Sequence, residues 1–273
     1  MSEGISLERV ARKTVVLRLP GMDEVGVKQD VVYRPSEAGD LTMDLYRPPG
    51  AGEERLPAVV FVSGYPDEGM KRIFGCGFKE MGTYVSWARL VATSGLAAIV
   101  ATNREPVEDA RALLGYLAEH GAELGIDERR IGIWACSGNG PTALSLLMDG
   151  GSLRCAVLCY PMTLDLDGSA GIADAARAFG FANACAGRRV EELPREVPLF
   201  VTRAGRDEMP GLNPALDRFV GEAVRCNLPM TFVNHPEGPH AFDLFQDSEA
   251  SREIVREALG FLRSRLLGEL TNR

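Results

Sequence analysis

The chain has 273 residues and a formal net charge of −8, with 45% hydrophobic and 25% charged residues. That composition fills a globular core and excludes a disordered chain, while the acidic balance argues against a nucleic-acid partner, which needs a concentrated basic face. No apolar run approaches the roughly 18 residues of a bilayer span, and MSEGISLERVARK lacks the apolar stretch of a secretory signal, so no membrane association and a cytoplasmic address are expected.

Residues 1–30 are mixed in character and are expected to decorate the surface. DVVYRP (30–35) and LTMDLYRPP (41–49) alternate like strands and flank the turn-rich SEAGD, which predicts a hairpin. AVVFVSG (58–64) is a continuous apolar run of strand length, the pattern of a strand buried on both faces. YVSWARLVATSG (84–95) has helical spacing and a glycine stop, and LAAIVATN (96–103) reads as the next strand. PVEDARALLGYLAEHG (106–121) opens on proline and closes on glycine, as helices often do.

RIGIWAC (130–136), CAVLCYP (155–161), VPLFVTRAG (197–205) and PMTFVNHP (229–236) continue the strand series. PTALSLLMDGG (141–151), NPALDRFVGEAVRCN (213–227) and SEASREIVREALGFLRSRLL (248–267) supply the alternating helices. Strand and helix in alternation imply βαβ units, hence an α/β fold with a mostly parallel sheet covered by helices on both faces and the hairpin at one edge. No linker or repeat interrupts the pattern, so 1–273 is expected to form a single domain. Two stretches break the rhythm, the glycine-rich 65–83 and the long 162–196, in which DAARAFGFANA suggests a short helix. Both follow strand C-terminal ends, where open α/β sheets bind ligands.

Six cysteines, Cys76, Cys136, Cys155, Cys159, Cys185 and Cys226, form no CxxC pair, and the three histidines lack ligand spacing to them. No metal and no cofactor are expected.

The segment IGIWACSGNGPTAL (131–144) carries the chemistry. A serine at a sharp turn between a buried strand and a helix has its hydroxyl thrust above the sheet edge. Small residues two places either side of it ease the turn, and here those places hold Ala135 and Asn139. Asp207 follows the strand of VPLFVTRAG, and His240 follows the next, in EGPHAFD. Ser137, Asp207 and His240 all fall at C-terminal ends of parallel strands, which lie on one edge of the sheet. A serine hydroxyl becomes nucleophilic when an imidazole takes its proton, and a carboxylate holds that imidazole in the useful tautomer.

IGIWACSGNG, LFVTRAGRDEMPG and PEGPHAFD together resemble the α/β-hydrolase superfamily, nearest its dienelactone-hydrolase-like and small-carboxylesterase branch, from about residue 30 to the end. The resemblance implies a serine hydrolase of small carboxylic esters, with Ser137 as nucleophile, His240 as base and Asp207 as its orienter. It implies an oxyanion hole from the backbone N–H groups of Gly138 and of Tyr65 or a neighbour, although Ser63-Gly64-Tyr65 stands where the usual H-G-G would be. The superfamily also forms dimers, so a homodimer is compatible. A lactone hydrolase, a peptidase, or a catalytically silent ligand-binding protein on the same fold are the alternatives.

Position separates the rival residues from Ser137, Asp207 and His240. Cys136 adjoins the elbow but falls one step before the bend, where packing is expected. His235 directly follows its strand and reads as structural, as does His120 at a helix end. Asp165, Asp167 and Asp243 read as solvated loop acids. Trp134, Tyr160 and Phe200 fall within buried strands, whereas Tyr65, Phe74, Trp87, Phe179 and Phe181 lie on or beside the two excursions and are candidate pocket residues. The charges of 162–196 suit a compact cap over a short-acyl ester rather than a lipase lid.

Overall fold

The structure, a computed structural model, describes residues 7–166 and 168–268. Its frame is an eight-stranded sheet in the order β1-β2-β4-β3-β5-β6-β7-β8. The strands are β1 (Gly26–Arg34), β2 (Leu41–Arg47), β3 (Leu56–Phe61), β4 (Ala97–Ala101), β5 (Ile126–Cys136), β6 (Leu153–Cys159), β7 (Leu199–Ala204) and β8 (Met230–His235). β1 and β2 pair antiparallel, β2 joins β4 antiparallel, and every later pairing is parallel. The apolar runs thus form the strands that the hydrophobic pattern predicts, with the hairpin at the edge.

Around the sheet lie α1 (Leu7–Ala11), α2 (Asp67–Phe74), α3 (Gly82–Thr93), α4 (Pro106–His120), α5 (Gly140–Met148), α6 (Gly171–Phe179), α7 (Leu212–Arg225), α8 (Phe242–Phe245) and α9 (Glu249–Leu266). Successive strand residues point to opposite faces, and the core divides accordingly. Val60, Ile131 and Ile133 pack with Leu113, Leu117, Leu144 and Phe219 of α4, α5 and α7. Val59, Phe61 and Trp134 pack with Trp87, Leu90, Ile254 and Leu262 of α3 and α9. The chain leaves β3 toward α3 on one face and leaves β5 toward α5 on the other. β3 and β5 are neighbours, so their C-terminal ends bound the crevice where such sheets place ligands.

Two expectations need correction. Residues 1–30 do more than decorate the surface, because Val15, Leu17, Met22 and Val25 are all buried against the α3 side of the core. Residues 65–83 also contain the helix α2, which composition had hidden among glycines. This excursion is fastened to the sheet by Lys79, whose buried ammonium reaches Asp44 at 2.8 Å and Asp30 at 2.5 Å. Burial works against that charge, but the two carboxylates outweigh it and hold the ammonium above its ordinary pKa.

Candidate active site

The strand β5 stays extended to Cys136, and the chain then turns abruptly. Ser137 has φ of 52°, a left-handed conformation that costs a non-glycine residue energy and is retained where surrounding structure fixes it. A short turn over Ser137–Asn139 leads into α5, which begins Gly140-Pro141. Proline there needs no N–H partner. The carbonyl of Ser137 accepts from Met162 N at 2.9 Å, tying the bend to the chain beyond β6.

The elbow tolerates asparagine at position 139 because the close approach falls on other residues. A β-carbon on Gly140 would lie 2.1 Å from the backbone Met162 O, so that place requires glycine, and one on Gly138 would lie 2.3 Å from the Tyr65 hydroxyl and press on that side chain. Asn139 is 3% exposed and uses its amide as a clamp. Its Oδ1 accepts from Gly64 N at 2.7 Å, and its Nδ2 donates to the Tyr84 hydroxyl at 2.8 Å. The departure from the usual small residue therefore joins the elbow to the loop after β3.

Ser137, His240 and Asp207 meet as a hydrogen-bonded chain. Ser137 Oγ lies 2.9 Å from His240 Nε2, and His240 Nδ1 lies 2.6 Å from Asp207 Oδ2. The side chain of Asp207 is fully buried, that of His240 is 28% exposed, and Asp207 Oδ1 also accepts from Met209 N at 2.9 Å. The loops after β7 and β8 are laced together by Gly205 N to His235 O at 2.8 Å and Arg206 N to Gly238 O at 2.9 Å. Any side chain on Gly205 would strike Pro236 O, which explains the glycine before Asp207. The imidazole also packs edge-on against Tyr160, centroids 5.0 Å apart. Tyr160 and Ala241 share the positive φ of Ser137, so three strained residues surround one point.

A cavity of about 360 Å³ opens beside Ser137 and His240. Its wall is largely apolar, with Tyr65, Met70, Ile73, Phe74, Phe78 and Met81 from the first excursion. Phe74 and Phe179 line it. Trp87 does not: it is 1% exposed in the core face of α3 and donates from Nε1 to Asp243 Oδ2 at 2.8 Å. Phe181 is also buried and packs behind the site, with its ring 5.9 Å from that of Tyr65. Val10 of α1 and Leu244 and Phe245 of α8 join the wall. Sequence reasoning missed all three, because nothing local marks a residue that meets the site through distant packing. Among the described residues of 162–196, only Phe179 borders this cavity.

The rival residues find other work. His235 is 3% exposed, with Nε2 3.1 Å from Ser251 Oγ of α9. His120 stacks on Tyr116 at the end of α4. Cys136 borders the cavity, but burial, helped by the negative field of Asp243, pushes its thiol up to about 12, away from a neutral-pH thiolate. Asp165 caps α6, accepting from Ile172 N at 2.7 Å and Ala173 N at 2.8 Å. Asp243 is not a solvated loop acid. It is 1% exposed, and its Oδ1 accepts from the Tyr160 hydroxyl at 2.6 Å. Burial raises its pKa while Tyr160 and Trp87 pull the other way. Asp167 lies outside the described residues.

Among the described residues, the acidic and thiol groups that come together elsewhere are Glu191, Glu222 and Cys226, within 4.8 Å of one another. The guanidinium of Arg225 already sits on both carboxylates.

No family model matches the sequence, and no curated protein matches it. Solved structures do. A thermostable esterase from Pseudomonas putida ECU1011 superposes with a TM-score of 0.70 at 19% identity, covering 96% of this chain and 92% of that one. The thermophilic esterase Est2 from Thermogutta terrifontis gives 0.65 at 21%, covering 94% and 98%. The esterase LipW from Mycobacterium marinum gives 0.66 at 18%, covering 88% and 82%. The fold is therefore that of the α/β-hydrolases. No helix among the described residues is long and apolar enough to cross a membrane.

Proposed function

We propose that this chain is a serine hydrolase of small carboxylic esters that works through an acyl-enzyme. The observation that carries the reading is the unbroken chain Ser137 Oγ to His240 Nε2, then His240 Nδ1 to Asp207 Oδ2, at 2.9 and 2.6 Å. In this reading His240 takes the hydroxyl proton as Ser137 Oγ attacks the ester carbonyl. Asp207 holds the imidazole with Nε2 free to accept that proton and stabilises the imidazolium. The proton then passes to the leaving alcohol, and water repeats the sequence on the acyl-enzyme. Gly138 N–H, directly after the nucleophile, faces the developing oxyanion.

The cavity supports an ester with one apolar group of modest size, since about 360 Å³ falls toward the lower end of small-ligand pockets, about 300–1,000 Å³. The esterases with similar folds point the same way. Thermogutta esterase 2 also exists phosphoramylated by tabun and phosphonylated by sarin, which makes an organophosphorus reagent the natural probe. A fluorophosphonate is expected to inactivate ester hydrolysis with one adduct per chain, on the peptide containing Ser137. Inactivation that maps to Cys136, or hydrolysis that survives saturating reagent, would sink the proposal.

A further inference from the structure

A tetrahedral oxyanion needs more than the single donor at Gly138, and the backbone of the loop after β3 has little left to give. The N–H of Tyr65 already donates to Ser63 Oγ at 3.2 Å, and the Ser63 hydroxyl returns a bond to Tyr65 O at 3.0 Å. The N–H of Gly64 is held by Asn139 Oδ1 at 2.7 Å. The phenol of Tyr65 is different. Its ring borders the cavity together with Ser137 and His240. Its hydroxyl lies over Gly138, close enough that a β-carbon there would sit 2.3 Å from it. Among the described residues that hydroxyl has no hydrogen-bond partner.

We propose that the Tyr65 hydroxyl, not its backbone N–H, is the second donor to the oxyanion, beside Gly138 N–H. The inference rests on the serine-hydrolase reading and adds a catalytic residue to it. As Ser137 Oγ bonds to the carbonyl carbon, its proton moves to His240 and the carbonyl π pair moves onto oxygen. That oxygen accepts from Gly138 N–H and Tyr65 O–H. When the π bond re-forms, the alcohol leaves with the His240 proton, and Tyr65 has kept its own throughout. Burial, chiefly, pushes the phenol above its ordinary pKa, so it remains a donor where the enzyme works. Phe181 and Phe78 press on the ring, with centroids 5.9 and 6.4 Å away, and fix its aim.

Tyr65→Phe removes the donor and keeps the ring. It is expected to lower kcat by about 10²- to 10³-fold, the usual cost of one oxyanion donor, with KM nearly unchanged. Binding of a trifluoromethyl ketone, which forms the tetrahedral adduct, should weaken by a similar factor, while an unreactive ester isostere binds as before. A merely structural role would move both. Tyr65→Phe with wild-type kcat, beside an inactive Ser137→Ala, overturns this inference and leaves the hydrolase reading standing. An active Ser137→Ala overturns the reading itself. If the phenylalanine variant does not fold, 3,5-difluorotyrosine at position 65 keeps the shape with a more acidic phenol. Activity should then fall at alkaline pH as that phenol ionises, and an unchanged pH profile overturns the inference.

Discussion

Ser137→Ala is expected to lower p-nitrophenyl ester turnover by about 10⁴- to 10⁶-fold, the loss seen when an activated serine is removed from such a chain of residues. The fold should be untouched, because the left-handed backbone at 137 is already held from both sides. Gly140 fits only as glycine against Met162 O, and Met162 N bonds the carbonyl of Ser137 at 2.9 Å. Alanine also loses only a hydroxyl whose one partner among the described residues is His240. Steady-state turnover and a melting curve on the same sample separate the two effects. A folded variant with near wild-type turnover would remove Ser137 from the chemistry.

His240→Ala should be almost as damaging, at about 10⁴-fold or more, whereas His235→Ala should leave turnover within a few-fold. The two histidines sit five residues apart in sequence and do opposite things. His240 bridges Ser137 and Asp207, and His235 is packed against Phe242 with its Nε2 on Ser251. His235 instead governs stability. Burial holds its pKa below the ordinary 6.5, so the unfolded chain takes up this proton first as the pH falls. Its contribution is therefore intact above about pH 6.5 and is lost below it. Melting temperature followed below that pH should fall more steeply in the wild type than in His235→Gln. The reverse ranking of the two histidines in turnover, or parallel pH curves, would contradict this division of labour.

The parts of the fold legible in the sequence are those governed by local periodicity. Runs such as AVVFVSG and CAVLCYP announce strands buried on both faces, and the order of Ser137, Asp207 and His240 follows from where those strands end. The cap was less legible. DEGMKRIF is short and charged, so its helix emerges only when Met70, Ile73 and Phe74 find a shared cavity. Loop length favours 162–196 as the cover, but α6 is capped by Asp165 and packs beside α7, and among the described residues of that stretch Phe179 alone reaches this cavity. Trp87 and Asp243 misled for a related reason: an indole and a carboxylate far apart in sequence satisfy each other in the core. Asn139 stands where a small residue would ease the turn, and its use lies in Gly64, a residue no spacing rule connects to it.

The account turns on a covalent ester between substrate and Ser137. The direct measurement is to mix the enzyme with p-nitrophenyl acetate, quench in acid during the first turnover and map the acetylated peptide by mass spectrometry. The expected result is a burst of p-nitrophenol approaching one per chain, with the acetyl group on Ser137. Hydrolysis without a burst or a Ser137 adduct, or acetyl on Cys136 in its place, would contradict it.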